Sequence, residues 1–204
     1  MATRTTSGVY SRLPTERSLP AAAELDRLST KRVVALLVAE ERRSVAAVAR
    51  AVPQITRAAN AIAEALASGG RLVYVGAGTS GRLAALDAAE CPPTFGTRPS
   101  QIVAIVAGGR RALARSVEGA EDRGDEARRA LSRLRVGASD IVVAVTASGM
   151  TPFAREALAY ARNKGSPTVL VTCASQAARA AGVTAEIVIA LEVGPEVLAG
   201  STRL

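Results

Sequence analysis

From residue 72 to residue 191 the chain alternates short runs of consecutive apolar residues with longer stretches of helical periodicity. The short runs are Leu72–Val75, Ile102–Val106, Asp140–Val145, Thr168–Thr172 and Glu186–Leu191. They are rich in Val and Ile and apolar on successive positions, the pattern of parallel strands covered on both faces. Between them, Gly81–Ala89, Arg111–Gly119, Asp122–Leu134, Pro152–Asn163 and Ser175–Ala181 read as helices. Five strand-helix repeats predict an α/β fold built on a doubly wound, five-stranded parallel sheet.

Upstream the pattern is purely helical. Leu25, Leu28, Val33, Val34, Leu36 and Leu37 start one periodic stretch. Val45, Val48, Val52, Ile55, Ile62 and Leu66 carry it to the stop at Gly69-Gly70, with Pro53 as the expected point of division. Residues 1–20 read as an irregular lead punctuated by Pro14 and Pro20. The expected division is therefore an N-terminal arm and helices over 1–60, followed by a ligand-binding domain over 61–204.

Two of the strand-like runs end in loops of small and hydroxyl residues. The first is Gly76-Ala77-Gly78-Thr79-Ser80-Gly81 and the second Thr146-Ala147-Ser148-Gly149. Hydroxyls and exposed backbone N–H groups at a helix start hold an anion without a charged side chain. In the flavodoxin-like strand order 2-1-3-4-5, strands one and three are neighbours and ligands bind at their carboxyl ends. The two loops would then meet at one crevice and hold one phosphate from two sides. The candidate phosphate ligands are Gly78, Thr79, Ser80 and Gly81 from the first loop, and Ser148, Gly149 and Thr151 from the second.

Gly76-x-Gly78-x-x-Gly81 also has the spacing of a dinucleotide fingerprint. That reading needs an acid closing the second strand, where this chain has Val106-Ala107-Gly108-Gly109-Arg110. Plain tight turns would account for one such loop; a matched pair of Ser-Gly loops is harder to explain that way.

Composition narrows the chemistry. The chain of 204 residues contains no histidine, which excludes imidazole acid/base catalysis and most zinc sites. Cys91 and Cys173 fit no metal or redox spacing, and Cys173 is expected as a small buried residue. No metal and no cofactor is implied, and proton transfer falls to carboxylates. The net charge is +8, but Arg42, Arg50, Arg57, Arg115 and Arg129 are scattered along helical stretches among acidic residues. With only 2% aromatics the basic excess lacks stacking platforms, so nucleic acid is not an expected partner. Neither a signal peptide nor a membrane span is expected, which makes a cytoplasmic location the default.

The stretches Gly76–Leu83 and Asp87-Ala88-Ala89-Glu90-Cys91-Pro92-Pro93-Thr94-Phe95-Gly96 resemble the N-acetylmuramic acid 6-phosphate etherase family. So do Val117-Glu118-Gly119-Ala120-Glu121-Asp122, Ala147-Ser148-Gly149-Met150-Thr151-Pro152 and the run from Val193 to Leu204. Thr15-Glu16-Arg17 and Leu25–Thr30 fit the family's N-terminal side. The resemblance implies a sugar isomerase (SIS) domain and a lyase of peptidoglycan recycling. Its substrate is a sugar phosphate whose D-lactyl ether is cleaved to N-acetylglucosamine 6-phosphate and D-lactate. The resemblance assigns Glu90 as the acid that protonates departing lactate and Glu121 as the base at C2. Glu90 stands against Cys91-Pro92-Pro93, a rigid and apolar setting expected to favour its protonated form.

Such a pair suits the reaction. A direct hydrolysis of the ether is slow, whereas the C2 hydrogen of the open-chain sugar is acidified by the adjacent aldehyde. Elimination followed by hydration then needs two carboxyl groups in opposite protonation states. A helix running unbroken from Gly81 would carry Glu90 about 13 Å from the phosphate loop. A homodimer in which a neighbour helps to complete the site is therefore expected. Three departures from the family pattern stand out: Met150 replaces an Arg, an Asn usual near Leu19 is missing, and the chain stops where members continue, as a C-terminally shortened form. The alternatives are a non-catalytic sugar-phosphate regulator resembling glucokinase regulatory protein, and an aldose–ketose sugar-phosphate isomerase.

Overall fold

The computed structural model describes residues 17–201. The parts of the quoted motifs at residues 15–16 and 202–204, and Pro14, lie outside them. Five parallel strands form one sheet: β1 (Leu72–Gly76), β2 (Ile102–Val106), β3 (Ile141–Val145), β4 (Thr168–Thr172) and β5 (Ile187–Ala190). Their spatial order is β2-β1-β3-β4-β5. The strand order thus changes its winding direction across the parallel β1/β3 pair, where Gly76 stands beside Val145. This is the flavodoxin-like 2-1-3-4-5 order under which the two loops are expected to meet.

Alternation along each strand separates two apolar layers. Val73, Val75 and Val142 face one side, packing with Ala127, Leu131, Phe153 and Ala157. Leu72, Ile141, Val143 and Val169 face the other, packing with Ala51, Ala58 and Cys91. Each fully buried Val, Leu or Ile contributes about 1.5–3 kcal/mol relative to an exposed one.

The first layer is covered by the fifth and sixth α-helices in chain order, α5 (Gly124–Arg133) and α6 (Pro152–Asn163). In α5 the buried positions are Gly124, Ala127 and Leu131, one helical face. Gly124 lets the two helices touch: a Cβ there would lie 2.4 Å from Glu156 Cγ and 3.1 Å from the Pro152 carbonyl oxygen. A short α7 (Ser175–Ala180) packs Ala178 beside Leu158 and Leu170.

The second layer is covered by α2 (Val52–Ala67) and the C-terminal half of α3 (Gly78–Phe95). Helix α1 (Thr30–Arg50) precedes α2, and Pro53 sits in the first turn of α2, where its missing N–H costs no bond. Position 60 falls inside α2, and Ile55, Ala61, Ile62 and Leu66 of that helix pack against the sheet. Between β2 and α5 lies only α4 (Arg111–Ala114), shorter than the stretch to Gly119 expected from periodicity. Gly108, Gly109 and Gly119, all with positive φ, bracket this irregular connection. Among the described residues, no helix is long and apolar enough to cross a membrane.

At the amino end of the sheet, Asp140 accepts from Arg71 Nε at 2.8 Å, Arg71 Nη2 at 2.7 Å and the Arg71 backbone N–H at 3.1 Å. The Gly137 N–H adds a fourth bond at 3.0 Å. Burial alone would raise the Asp140 carboxyl, but these bonds overcome it and hold the group below the ordinary carboxylate value.

Candidate functional site

The first loop is shaped by three glycines with different duties. Gly78 opens α3 at φ +55°, a backbone region that other residues avoid. A Cβ on Gly76 would lie 2.8 Å from the Gly81 nitrogen, and one on Gly81 2.7 Å from both the Gly76 oxygen and Val106 Cγ1. The strand and helix therefore meet backbone to backbone. Helix α3 begins three residues earlier than expected, at Gly78, with the extended Ala77 as its cap. The N–H groups of its first turn have no intrahelical acceptor and sit at the positive end of the helix dipole.

The second loop is built around Thr146. Its Oγ1 lies 2.8 Å from Thr151 Oγ1 and 3.5 Å from Ser148 Oγ. Ser148 Oγ in turn accepts from the Met150 N–H at 3.2 Å. Gly149, at φ +69°, leaves no room for a side chain: a Cβ would lie 2.6 Å from Ala178 Cβ and 2.9 Å from Thr172 Oγ1. Thr172 donates to the Ala147 carbonyl at 3.1 Å, tying the loop to β4. Cys173, expected to be buried, is half-buried instead, because it has left the strand for the rim of this loop.

Both loops open onto one cavity of about 530 Å³, within the usual range for small-molecule sites. Gly78, Thr79, Ser80, Ser148, Thr151 and Glu121 all line it. Gly81 and Gly149 are buried behind the loops and shape them without reaching the cavity. Glu121 is fixed by its own backbone, whose carbonyl accepts from the Phe153 N–H at 3.0 Å in the first turn of α6. Phe153 is buried in the core, so the α6 terminus anchors the glutamate at the cavity wall.

Glu90 is not brought to this cavity within one chain. Its helix does not stop at Ala89 but runs through Pro92 and Pro93 to Phe95, closing at the left-handed Gly96, whose N–H bonds the Pro92 carbonyl at 2.9 Å. Glu90 is exposed there, in contrast to the apolar setting expected from its neighbours, and lies about 18 Å along the helix from Gly78. Leu83 and Leu86, exposed at 58% and 59%, precede it at helical spacing on the same face.

Four lining residues are not among the candidates of the sequence reading. Thr146 stands in the second loop in the sequence reading but not among the candidate ligands, yet its hydroxyl organises that loop. Ser116 and Glu118 also line the cavity, with Ser116 Oγ donating to Glu118 Oε1 at 2.9 Å. Arg82 is the fourth; its Nε donates to the Ala112 carbonyl at 2.9 Å. Of the two departures at single positions, Leu19 is buried and Met150 is half-buried beside the second loop.

Residues 54–162 match the family model described as glucokinase regulatory protein N-terminal SIS domain. Among curated proteins, a relative from Streptomyces avermitilis described as N-acetylmuramic acid 6-phosphate etherase is 49% identical over 94% of this chain and 61% of its own length. A protein of the same description from Gloeobacter violaceus is 50% identical over 94% of this chain and 62% of its own. One from Edwardsiella ictaluri is 46% identical, covering 93% and 63%. The chain thus spans about three fifths of the length of these relatives. Among solved structures, a phosphoheptose isomerase from Neisseria gonorrhoeae superposes with a TM-score of 0.57 at 18% identity. The match covers 79% of this chain and 85% of the isomerase, a likeness of fold.

Proposed function

The chain belongs to the family of the glucokinase regulatory protein N-terminal SIS domain, and from that premise we propose that it is an etherase of amino-sugar catabolism. In this reading residues 61–204 bind the sugar phosphate and residues 1–60 form an arm and supporting helices. The substrate is N-acetylmuramic acid 6-phosphate, and the products are N-acetylglucosamine 6-phosphate and D-lactate. The shared cavity carries the reading: two hydroxyl loops and a carboxylate, Glu121, converge on a volume suited to one sugar phosphate. Relatives named for this activity, 46–50% identical over most of the chain, support it.

The phosphate would sit against the first turn of α3, between Ser80 and Ser148, where backbone N–H groups and hydroxyls replace its hydration. Binding through a group remote from the reacting bond orients C2 toward Glu121. Glu121 takes the C2 proton; the C3–O bond breaks, and lactate leaves with a proton from Glu90. Water then adds across the C2–C3 double bond, its oxygen to C3 and a proton to C2. No metal or redox cofactor enters this scheme.

Glu90 reaches the reaction only from a second copy in this reading. The exposed stripe of Leu83 and Leu86 that leads to Glu90 suits a homodimer contact, since an apolar helix face gains by being covered. The site is thus shared, Glu121 from one subunit and Glu90 from the other. The expected setting is the cytoplasm.

The test is release of D-lactate from N-acetylmuramic acid 6-phosphate, followed in deuterated water so that label at C2 reports the elimination. Absence of both lactate and C2 label would sink the proposal. Tight binding of sugar phosphates without either signal would favour the non-catalytic regulator, the reading that the family description itself supports.

A further inference from the structure

A second chamber of about 810 Å³ opens beside the phosphate cavity and shares Thr79, Arg82, Ser116 and Gly200 with it. The electrostatic character changes across this shared wall. Glu118 and Glu121 both line the first chamber, and neither lines the second. The second is lined instead by two arginines, Arg82 and Arg115, with no acidic residue among its described lining. A phosphate held by amides and hydroxyls does not need these arginines.

Their arrangement is built. Arg82 Nε donates to the Ala112 carbonyl at 2.9 Å and Nη2 to the Arg115 carbonyl at 3.3 Å. That clamp fixes the end of α4, where the chain turns extended at Arg115, and so sets the backbone that carries the Arg115 side chain. A guanidinium has five N–H donors, so three on Arg82 remain beyond the two carbonyl bonds. An arginine fork matches a planar carboxylate by paired, charge-assisted bonds.

We propose that the second chamber receives a carboxylate carried by the sugar-phosphate ligand, with Arg115 as the specificity-determining residue and Arg82 as its positioning residue. The inference rests on the sugar-phosphate reading above and adds to it which part of the ligand is discriminated. A ligand with anions on both sides of the hexose ring would fill both chambers. The corresponding sugar phosphate without the acid would fill only the first.

Calorimetric titration of the whole chain carrying Glu121→Gln, which cannot start the elimination and so leaves the probe intact, tests this with N-acetylmuramic acid 6-phosphate and N-acetylglucosamine 6-phosphate as the two probes. The arginine variants are made in that background. The acid-bearing sugar should bind more tightly. Arg115→Ala should weaken it about tenfold, the scale of one charge-assisted bond, and leave the neutral-substituent sugar within about twofold. Arg82→Lys, which loses the two-carbonyl clamp, should reduce the same discrimination while retaining phosphate binding. Equal affinity of the Glu121→Gln chain for both sugars, or equal weakening of both by Arg115→Ala, would overturn the inference and leave the phosphate site standing. Failure of both sugar phosphates to bind would instead overturn the functional proposal, and this inference with it. Arg115 is exposed, so its substitution leaves the core untouched.

Discussion

Gly76 and Gly81 hold strand β1 and helix α3 in backbone contact: a Cβ on Gly81 would lie 2.7 Å from the Gly76 carbonyl oxygen. The contact aims the start of α3, with Thr79 and Ser80, into the shared cavity. Two residues without side chains thus determine where the proposed phosphate-binding groups point.

Gly81→Ala should therefore damage both folding and ligand binding. The added methyl meets the Gly76 oxygen and Val106 Cγ1, and overpacking of this kind costs about 1–3 kcal/mol. Urea denaturation should show that loss, with phosphate affinity falling alongside it. A variant of unchanged stability and affinity would contradict the close packing.

The hydroxyl loops should act mainly on substrate binding. Ser80→Ala is expected to raise KM more than it lowers kcat, because the phosphate is remote from the bond broken. Thr146→Val removes the 2.8 Å partner of Thr151 Oγ1 and should raise KM in the same way, by about tenfold. A fall in kcat with KM unchanged would place these residues in the chemical step instead.

The carboxylates separate by isotope exchange. Glu121→Gln should abolish exchange of the C2 hydrogen with solvent, whereas Glu90→Gln should retain it and block lactate release. Glu118→Gln should do neither, although Glu118 lines the cavity. Mixing the Glu90→Gln and Glu121→Gln chains should restore up to about a quarter of the wild-type rate, because half the dimers are mixed and carry one intact site of two. No recovery, with subunit exchange verified, would refute sharing of the site.

Asp140 ties the sheet at its amino edge. Asp140→Ala should cost about 2–3 kcal/mol, below the range for fully buried pairs because Arg71 keeps 26% of its side chain exposed. The folded-state pKa of Asp140 lies below its unfolded value of 3.8. Its stabilisation is then present above pH 3.8 and lost as pH falls through the lower folded value. In the Asp140→Ala variant that part of the acid-unfolding slope should vanish. A variant whose acid transition keeps the wild-type slope would assign it to other groups.

Glu196 should show the opposite sign. Burial, and then the charge of Glu41, raises its pKa in the fold above 4.5. Its protonated form therefore favours folding below pH 4.5, and that contribution disappears as pH rises through the folded value. Glu196→Gln should raise Tm at pH 7 and leave it nearly unchanged at pH 4. An equal shift at both values would point to packing rather than charge.

The strands were legible because each is a short apolar run between breakers: Ile102–Val106 and Thr168–Thr172 are observed with the bounds that the pattern predicts. Helix ends were less so. Gly78 starts α3 early because positive φ is open to glycine, and Gly96, not the prolines, ends it late. The convergence of Ser80 and Ser148 followed from strand order alone. The roles of Thr146 and Arg82, both inside the quoted motifs, are not legible there because they depend on partners five and thirty residues away, Thr151 and Ala112. No local pattern announces such pairs. The distance of Glu90 from the cavity was foreseen from helix rise and is lengthened by the early start of α3.

The salt-bridged pin of Arg71 and Asp140 and the ligand-facing loops sit at opposite rims of the same strands, about 16 Å apart over the length of β1. Residues at the mouth can consequently be exchanged, and ligand preference retuned, without loosening the fastening that keeps β1 and β3 in register. A protein of this layout can drift in what it recognises while its frame stays put.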